Sequence, residues 1–268
     1  MKNMQNDKEQ NRNHSVQVLN RCFAIWEAIA NNQGEASLAT LSKVLAIPHS
    51  TIHRILASLI QLGYVEQNPQ NGYYRLGLKI LRFSNIILEK LDLRKIGQMH
   101  LHELMQTTGE TANLVVLDGD EVVYVEKAES QASVRVFSLI GKRAPVHTTG
   151  AGKILLSEMA QPDIIGILKR KGMSKLTSYS IDTIQTFLDE LELVRKQGYA
   201  FDNEECELGA RCIAAPVRNH LGRIIASMSI SGPVNRMSPA RIDELIPIVT
   251  KNALSLSLTL GFSEELLF

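Results

Sequence analysis

Residues 1–14 are almost wholly polar and carry no apolar stripe, so they are expected to form a disordered tail. From Ser15 the apolar positions recur at steps of three and four. Leu19, Cys22, Phe23, Trp26 and Ile29 predict one amphipathic helix, ended by Asn31-Asn32-Gln33-Gly34. Ser37 is placed to cap a short second helix carrying Leu38, Leu41, Val44 and Leu45. Pro48 suits the first turn of a third helix, 48–62, with Ile52, Ile55, Leu56 and Leu59 facing inward and Gly63 as its stop. Tyr64-Val65-Glu66 and Tyr73-Tyr74-Arg75-Leu76 read as two short strands around the turn formers 68–72. Three helices and a hairpin over 15–77 predict a winged helix-turn-helix.

Apolar spacing continues through Leu78, Leu81, Ile86, Leu88 and Leu91, predicting a linker helix over 78–92 and then another over 94–107. The second domain, 93–268, mixes both periods. Strands are expected at 111–117 and 121–127 around Asp118-Gly119-Asp120, and at 133–139, 212–217 and 224–231. Helices are expected at 151–159, 183–196 and from Pro239 to about Leu260. The fold class is α+β: an N-terminal winged helix-turn-helix, a linker helix and a C-terminal α/β domain.

Composition narrows the class. Hydrophobic residues make up 44% and charged residues 21%, an ordinary globular balance. The formal net charge is +1, so any nucleic-acid surface must be local. Cys22, Cys206 and Cys212 are an odd, sparse set without a C-x-x-C pair, which argues against a disulfide framework and a zinc site. The N-terminal stretch lacks the apolar core of a secretory signal, and no apolar run is long enough to span a bilayer. A cytoplasmic protein is expected, without membrane, cofactor or resident metal.

On the third helix the apolar face leaves Ser50, Thr51, His53 and Arg54 outward, together with Ser58 and Gln61. Short polar and cationic groups of this kind reach base edges and phosphates in a major groove. Arg54 could pair with guanine or phosphate, Ser50 and Thr51 could bind phosphate oxygens, and Arg75 on the hairpin is a second phosphate candidate. Over 15–82 six basic residues stand against three acidic ones. A solvated polar helix face has the same periodicity. The order of helices and hairpin favours the DNA-reading face, and operator DNA is the expected partner.

In the second domain, Thr148-Thr149-Gly150-Ala151-Gly152-Lys153 precedes a helix. Its free N–H groups could favour a carboxylate, and a tight loop cap would have the same sequence. A nucleotide P-loop is excluded, because His147 stands where glycine is required and Ile154 where Ser or Thr is required. Ser229 and Ser231, two apart on a strand, point to one face. The acidic run Asp202, Glu204, Glu205 and Glu207 reads as a solvated loop rather than a metal site, and His147 as a structural histidine. Cys206 could act as a redox sensor, but no strongly cationic neighbour is evident. A rival reading makes the chain an enzyme, with Cys212 as nucleophile and His147 or Asp202 as partner. Another makes it an interaction module seamed by 78–92.

The run PHSTIHRILASLIQLGYVEQ (48–67), followed by YRLGLKIL (74–81), resembles the N-terminal domain of the IclR-type bacterial regulators. PVHTTGAGKILLS (145–157), GYAFDNEECELGARCIAAPV (198–217) and ASMSISGP (226–233) resemble that family's effector-domain stretches. The resemblance runs from about Ser15 to Gly261. It implies a GAF-like effector domain, homodimers or homotetramers on near-palindromic operators, and mostly repressors. It also implies a small carboxylate effector, an oxo-acid or sugar acid, held at Gly150 and Ala151 by backbone N–H groups and at Asp202, Cys212, Ser229 and Ser231. The regulated genes are expected to form a catabolic or transport operon. Ala144 stands where sensors of the smallest oxo-acids carry a larger apolar residue, which implies a roomier pocket.

Overall fold

The computed structural model describes residues 17–83 and 92–263. The chain divides into two units, 1–91 and 92–268. The expected tail and residues 84–91 of the expected linker helix lie outside the described residues.

The first unit opens with α1 (Gln17–Asn31), β1 (Glu35–Ala36), α2 (Leu38–Leu45) and α3 (His49–Leu62). A hairpin of β2 (Val65–Gln67) and β3 (Tyr74–Leu76) follows. Ser37 caps α2 by accepting the Thr40 N–H at 3.0 Å. The turn between α2 and α3 places Ala46 in the left-handed region, and Ser42 Oγ donates to Ile47 O across it at 2.7 Å. Pro48 occupies the N-cap position rather than the first turn of α3. Gly63, at φ +80°, closes α3, its N–H donating to Ile60 O while Tyr64 N–H donates to Leu59 O. Ile52, Ile55, Leu56 and Leu59 pack with Ile25, Ile29, Leu41, Val65 and Tyr74 into one core.

Two expectations need correction here. The stripe on α1 is narrower than expected: Ile29 is buried beside Ile25, and Cys22 and Trp26 pack against the same core, whereas Leu19 and Phe23 are exposed. Phe23 instead stacks edge-on against Trp26, which meets Tyr64, which meets Phe83, in an aromatic chain. The two-residue strand β1 was also not expected. It pairs with β3, giving the antiparallel order β1-β3-β2. Residues 79–83 are helical.

The second unit is built on a six-stranded antiparallel sheet of order β6-β5-β4-β9-β8-β7. Its strands are β4 (Thr111–Asp118), β5 (Glu121–Ala128), β6 (Arg143–Pro145), β7 (Ala200–Asn203), β8 (Ala210–Arg218) and β9 (Ile224–Pro233). Four helices run between or beside the strands: α4 (Leu93–Thr108), α5 (Gly150–Leu156), α6 (Gln161–Lys171) and α7 (Ile184–Gln197). The helix α8 (Pro239–Thr259) closes the unit. Strand alternation assigns the faces. On α4, Gly97 lies against Leu114, whose neighbour Asn113 points to the other side. There Asn113 sits in the row with Ser229 and Ala214, and Gly150 of α5 lies against Ala214. Thus α4 and α5 cover opposite faces. All seven residues of α5 are buried.

The strand expected over 133–139 does not form. The segment has the right alternation, but remote side chains take its carbonyls: Thr111 Oγ1 donates to Val136 O, Lys127 Nζ to Ser138 O and Arg236 to Val134 O. It is an extended strap held by side chains, and the short β6 pairs with β5 instead.

Candidate functional site

On α3, Ser50, His53 and Arg54 are exposed and Thr51 is half-buried. Thr51, Arg54 and Ser58 flank a groove toward α1 that also holds Arg21. Ser58 Oγ donates back to Arg54 O, so that hydroxyl is already engaged. Arg75 is exposed but not free. It faces Glu66 across the hairpin, with Nε and one terminal nitrogen donating to Glu66 Oε2 at 3.2 and 3.0 Å. The structure therefore brings Ser50, Thr51, His53 and Arg54 together on one helix and sets Arg75 apart in an ion pair.

In the second unit, register places the polar residues. Asp202 pairs with Cys212 across β7 and β8, and Cys212 with Ser231 across β8 and β9. The next row along holds Ala214 and Ser229. These rows floor a cavity of about 580 Å³, its open mouth included. Asp202, Cys212, Ser229 and Ser231 line it, with Ala151 and Thr149 from the α5 side. Gly150 lies just behind, where an added Cβ would meet Cys212 Sγ at 3.6 Å. The α5 start is held by Thr149, whose hydroxyl accepts Gly152 N–H and whose carbonyl accepts Lys153 N–H. The N–H groups of Gly150 and Ala151 fall in the first turn, where no helical partner exists.

Sequence reasoning missed several residues of this cavity. Tyr124 reaches it from β5, Val136 to Ser138 of the strap roof it, and Lys142, Cys206, Glu207 and Arg211 edge it. Only Tyr124 had a local signal, as the polar-tipped aromatic in an alternating strand.

The electrostatics are those of a neutral, donor-rich floor. Burial raises the Asp202 carboxyl to about 7, against the pull of the Glu205 and Cys206 N–H groups on Oδ1. Oδ1 is thus occupied, and a proton on Oδ2 can be offered to a ligand. Burial also raises the thiols of Cys206, to about 11, and Cys212, to about 12, and keeps the Tyr124 hydroxyl protonated. Neutral thiols suit neither a nucleophile nor a redox sensor.

Two further expectations change. The acidic run is not wholly solvated: Asp202 and Glu205 are buried, Glu204 is half-buried and only Glu207 is exposed. Glu205 is drawn in by Lys153, whose three ammonium donors reach Glu205 Oε1 at 2.6 Å, Phe201 O at 2.7 Å and Glu190 Oε1 at 2.9 Å. Ala144 is not among the residues that line the cavity: it pairs with Val122 and is buried in the apolar cluster with Val115 and Val146. His147 lies in a different depression, with Asp120 and Lys171, its ring nitrogen against Ser174 O. Burial lowers its pKa, and it is not brought to Cys212. Among the described residues no group of three His, Cys, Asp or Glu side chains is set to hold a metal. No described helix is long and apolar enough to cross a membrane.

Both halves match family models. Residues 18–69 match the IclR helix-turn-helix domain, and residues 86–258 match the bacterial transcriptional regulator IclR C-terminal domain. The chain belongs to the IclR family. It is a DNA-binding transcription regulator, and the enzyme reading falls with that assignment, since the similar proteins are named regulators and repressors. The HTH-type transcriptional regulator XynR of Escherichia coli K12 is 34% identical over 92% of this chain and 98% of that protein. The Agobacterium tumefaciens repressor BlcR superposes with TM-score 0.74 at 30% identity, over 93% of this chain and 99% of that one. The PobR inducer-binding domain of Acinetobacter, solved as a double mutant with 3-hydroxybenzoic acid, has TM-score 0.59 at 35% identity. It spans 62% of this chain and 98% of that one.

Proposed function

We propose that this IclR-family regulator is a repressor whose grip on its operator is set by a small carboxylic acid bound in the second unit. The observation that carries the reading is the convergence of Asp202, Cys212, Ser229 and Ser231 on one cavity with Ala151. Hydroxyl, thiol, protonated carboxyl and backbone N–H donors around one concavity suit a carboxylate. Two findings on similar proteins support it: relatives are named repressors, and the PobR domain was solved with an aromatic acid.

In this reading residues 15–77 read DNA with Ser50, Thr51, His53 and Arg54, residues 78–92 link, and residues 93–268 sense. Two or four copies act on a near-palindromic operator of a catabolic or transport operon. An acid that favours one arrangement of the sensor units shifts operator affinity by its differential affinity for the two arrangements. The test is calorimetry with a panel of oxo-, sugar and aromatic acids, alongside gel shifts on DNA from upstream of the protein's own gene. At least one acid is expected to bind and to change operator affinity. Ser229→Ala with Ser231→Ala is expected to abolish that response while DNA binding persists. A double variant that responds normally would show the site is elsewhere.

A further inference from the structure

Two cations stand at the mouth of the cavity, Lys142 and Arg211. Arg211 is anchored, donating from Nε to Asn203 Oδ1 at 2.8 Å and from a terminal nitrogen to Met237 O at 2.7 Å. Lys142 is anchored only through its backbone. Its N–H donates to Leu139 O at 3.0 Å, and its carbonyl accepts Tyr124 N–H at 3.1 Å. The turn carrying it is therefore clipped to the strand whose tyrosine lines the cavity. Among the described residues its ammonium group has no hydrogen bond or ion pair. Lys142 lines the cavity together with Cys206. One acidic group, Glu207, shares the mouth and is exposed.

The floor and the mouth thus differ in kind. The floor offers neutral donors, enough for one carboxylate. The mouth offers an exposed, unpaired ammonium group and an anchored guanidinium against a single carboxylate. A monoacid seated on the floor leaves Lys142 without a partner. We propose that the effector carries a second anionic group, a carboxylate or a phosphate, that meets Lys142 at the mouth, making Lys142 the residue that sets specificity for dianionic acids. This inference rests on the cavity being the effector site.

The test is calorimetry on the full chain with pyruvate and butyrate as monoacids, succinate and 2-oxoglutarate as diacids, and 3-phosphoglycerate as the phosphorylated acid. The wild type is expected to bind one of the two dianion classes more tightly than the monoacids, and the class that binds names the second group. Lys142 is exposed, so Lys142→Met should fold normally. It is expected to weaken dianion binding about fivefold, the upper end for an exposed ion pair, and to leave pyruvate unchanged. Lys142→Glu should weaken dianions further, and Glu207→Gln should strengthen them. Dianions that bind no better than monoacids, or that bind Lys142→Met as they bind wild type, would overturn the inference. If monoacids then still bind through Ser229 and Ser231, the cavity reading survives. Absence of binding by all five acids would overturn the inference, and absence of binding by the sugar and aromatic acids as well would sink the cavity reading.

Discussion

Lys153 Nζ lies 2.6 Å from Glu205 Oε1 inside the second unit, with the lysine side chain only 1% exposed. The ion pair ties α5 to the loop that follows Asp202, and Glu190 ties the same ammonium group to α7. Lys153→Met would leave two carboxylates facing each other without a cation. Removing one partner of a buried pair costs about 3–5 kcal/mol, because the remaining charge is desolvated and uncompensated. Urea unfolding of Lys153→Met is expected to show a loss of that size. Adding Glu205→Gln should recover part of it, since Glu205 Oε2 is already buried without a partner. A single variant with the wild-type midpoint would mean the pair contributes nothing.

The Asp202 carboxyl gives the cavity a pH dependence whose sign is fixed. Its ordinary value is 3.8 and burial raises it to about 7, so folding favours the neutral form. The cost of ionising it is absent below about pH 4, grows as the pH rises toward 7 and is constant above that. An anionic acid beside it favours the protonated form further. Binding at pH 8 is therefore expected to take up a proton, and affinity to fall by up to about tenfold per pH unit above 7. Calorimetry in buffers of different ionisation enthalpy measures the uptake. Asp202→Asn should flatten the profile. Proton release on binding would contradict the role given to Asp202.

Much of this architecture is legible in the sequence where the signal is local. The inward face of α3, its stop at Gly63, the hairpin around Gly119 and the paired serines of β9 follow from period and turn chemistry alone. Burial of Lys153 does not, because its partners lie 37 and 52 residues away and nothing in GAGKILL marks the lysine as enclosed. The strap over 133–139 fails for the same reason: its neighbours Thr111, Lys127 and Arg236 are brought in by the fold. Lys142 sits in a turn whose only sequence signal is Gly141, and its place at the cavity depends on the strap. Helix α6 is different. Ile164, Ile167 and Leu168 carry a helical spacing, with Pro162 in the first turn, and that signal was readable.

On the DNA side, Arg54 and Arg75 should behave differently. Arg54 has no acidic partner among the described residues, whereas Glu66 holds Arg75 through two donors. Arg54→Ala is expected to cost about 1–3 kcal/mol of operator binding if it reads a base. Arg75→Ala should cost less. Glu66→Gln should strengthen binding, because it removes a negative charge and frees a cation on the wing. Its dependence of log affinity on log salt should steepen by about one unit, the contribution of one phosphate contact. Gel shifts across a salt series decide it. A Glu66→Gln variant that binds more weakly than wild type would mean that the ion pair positions the wing.

Gly152 and Gly150 give a paired test of how closely α5 is seated. A Cβ on Gly152 would run into the carbonyl oxygen, Cα and carbonyl carbon of Val146, backbone atoms of the preceding turn that cannot swing aside. The same turn is tied to α5 through Thr149, which donates to Pro145 O and accepts Gly152 N–H. Gly152→Ala must therefore lift the helix from the turn, and a loss of about 1–3 kcal/mol or more is expected in urea unfolding. At Gly150 the new methyl would meet Ala214 Cβ at 3.3 Å and Cys212 Sγ at 3.6 Å, contacts that a small shift relieves. Gly150→Ala should keep most of the stability and instead narrow the cavity beside Cys212. Its signature is weaker acid binding with a near-wild-type midpoint. Equal losses of stability in the two variants would show that α5 is not held against Val146 as tightly as this geometry requires.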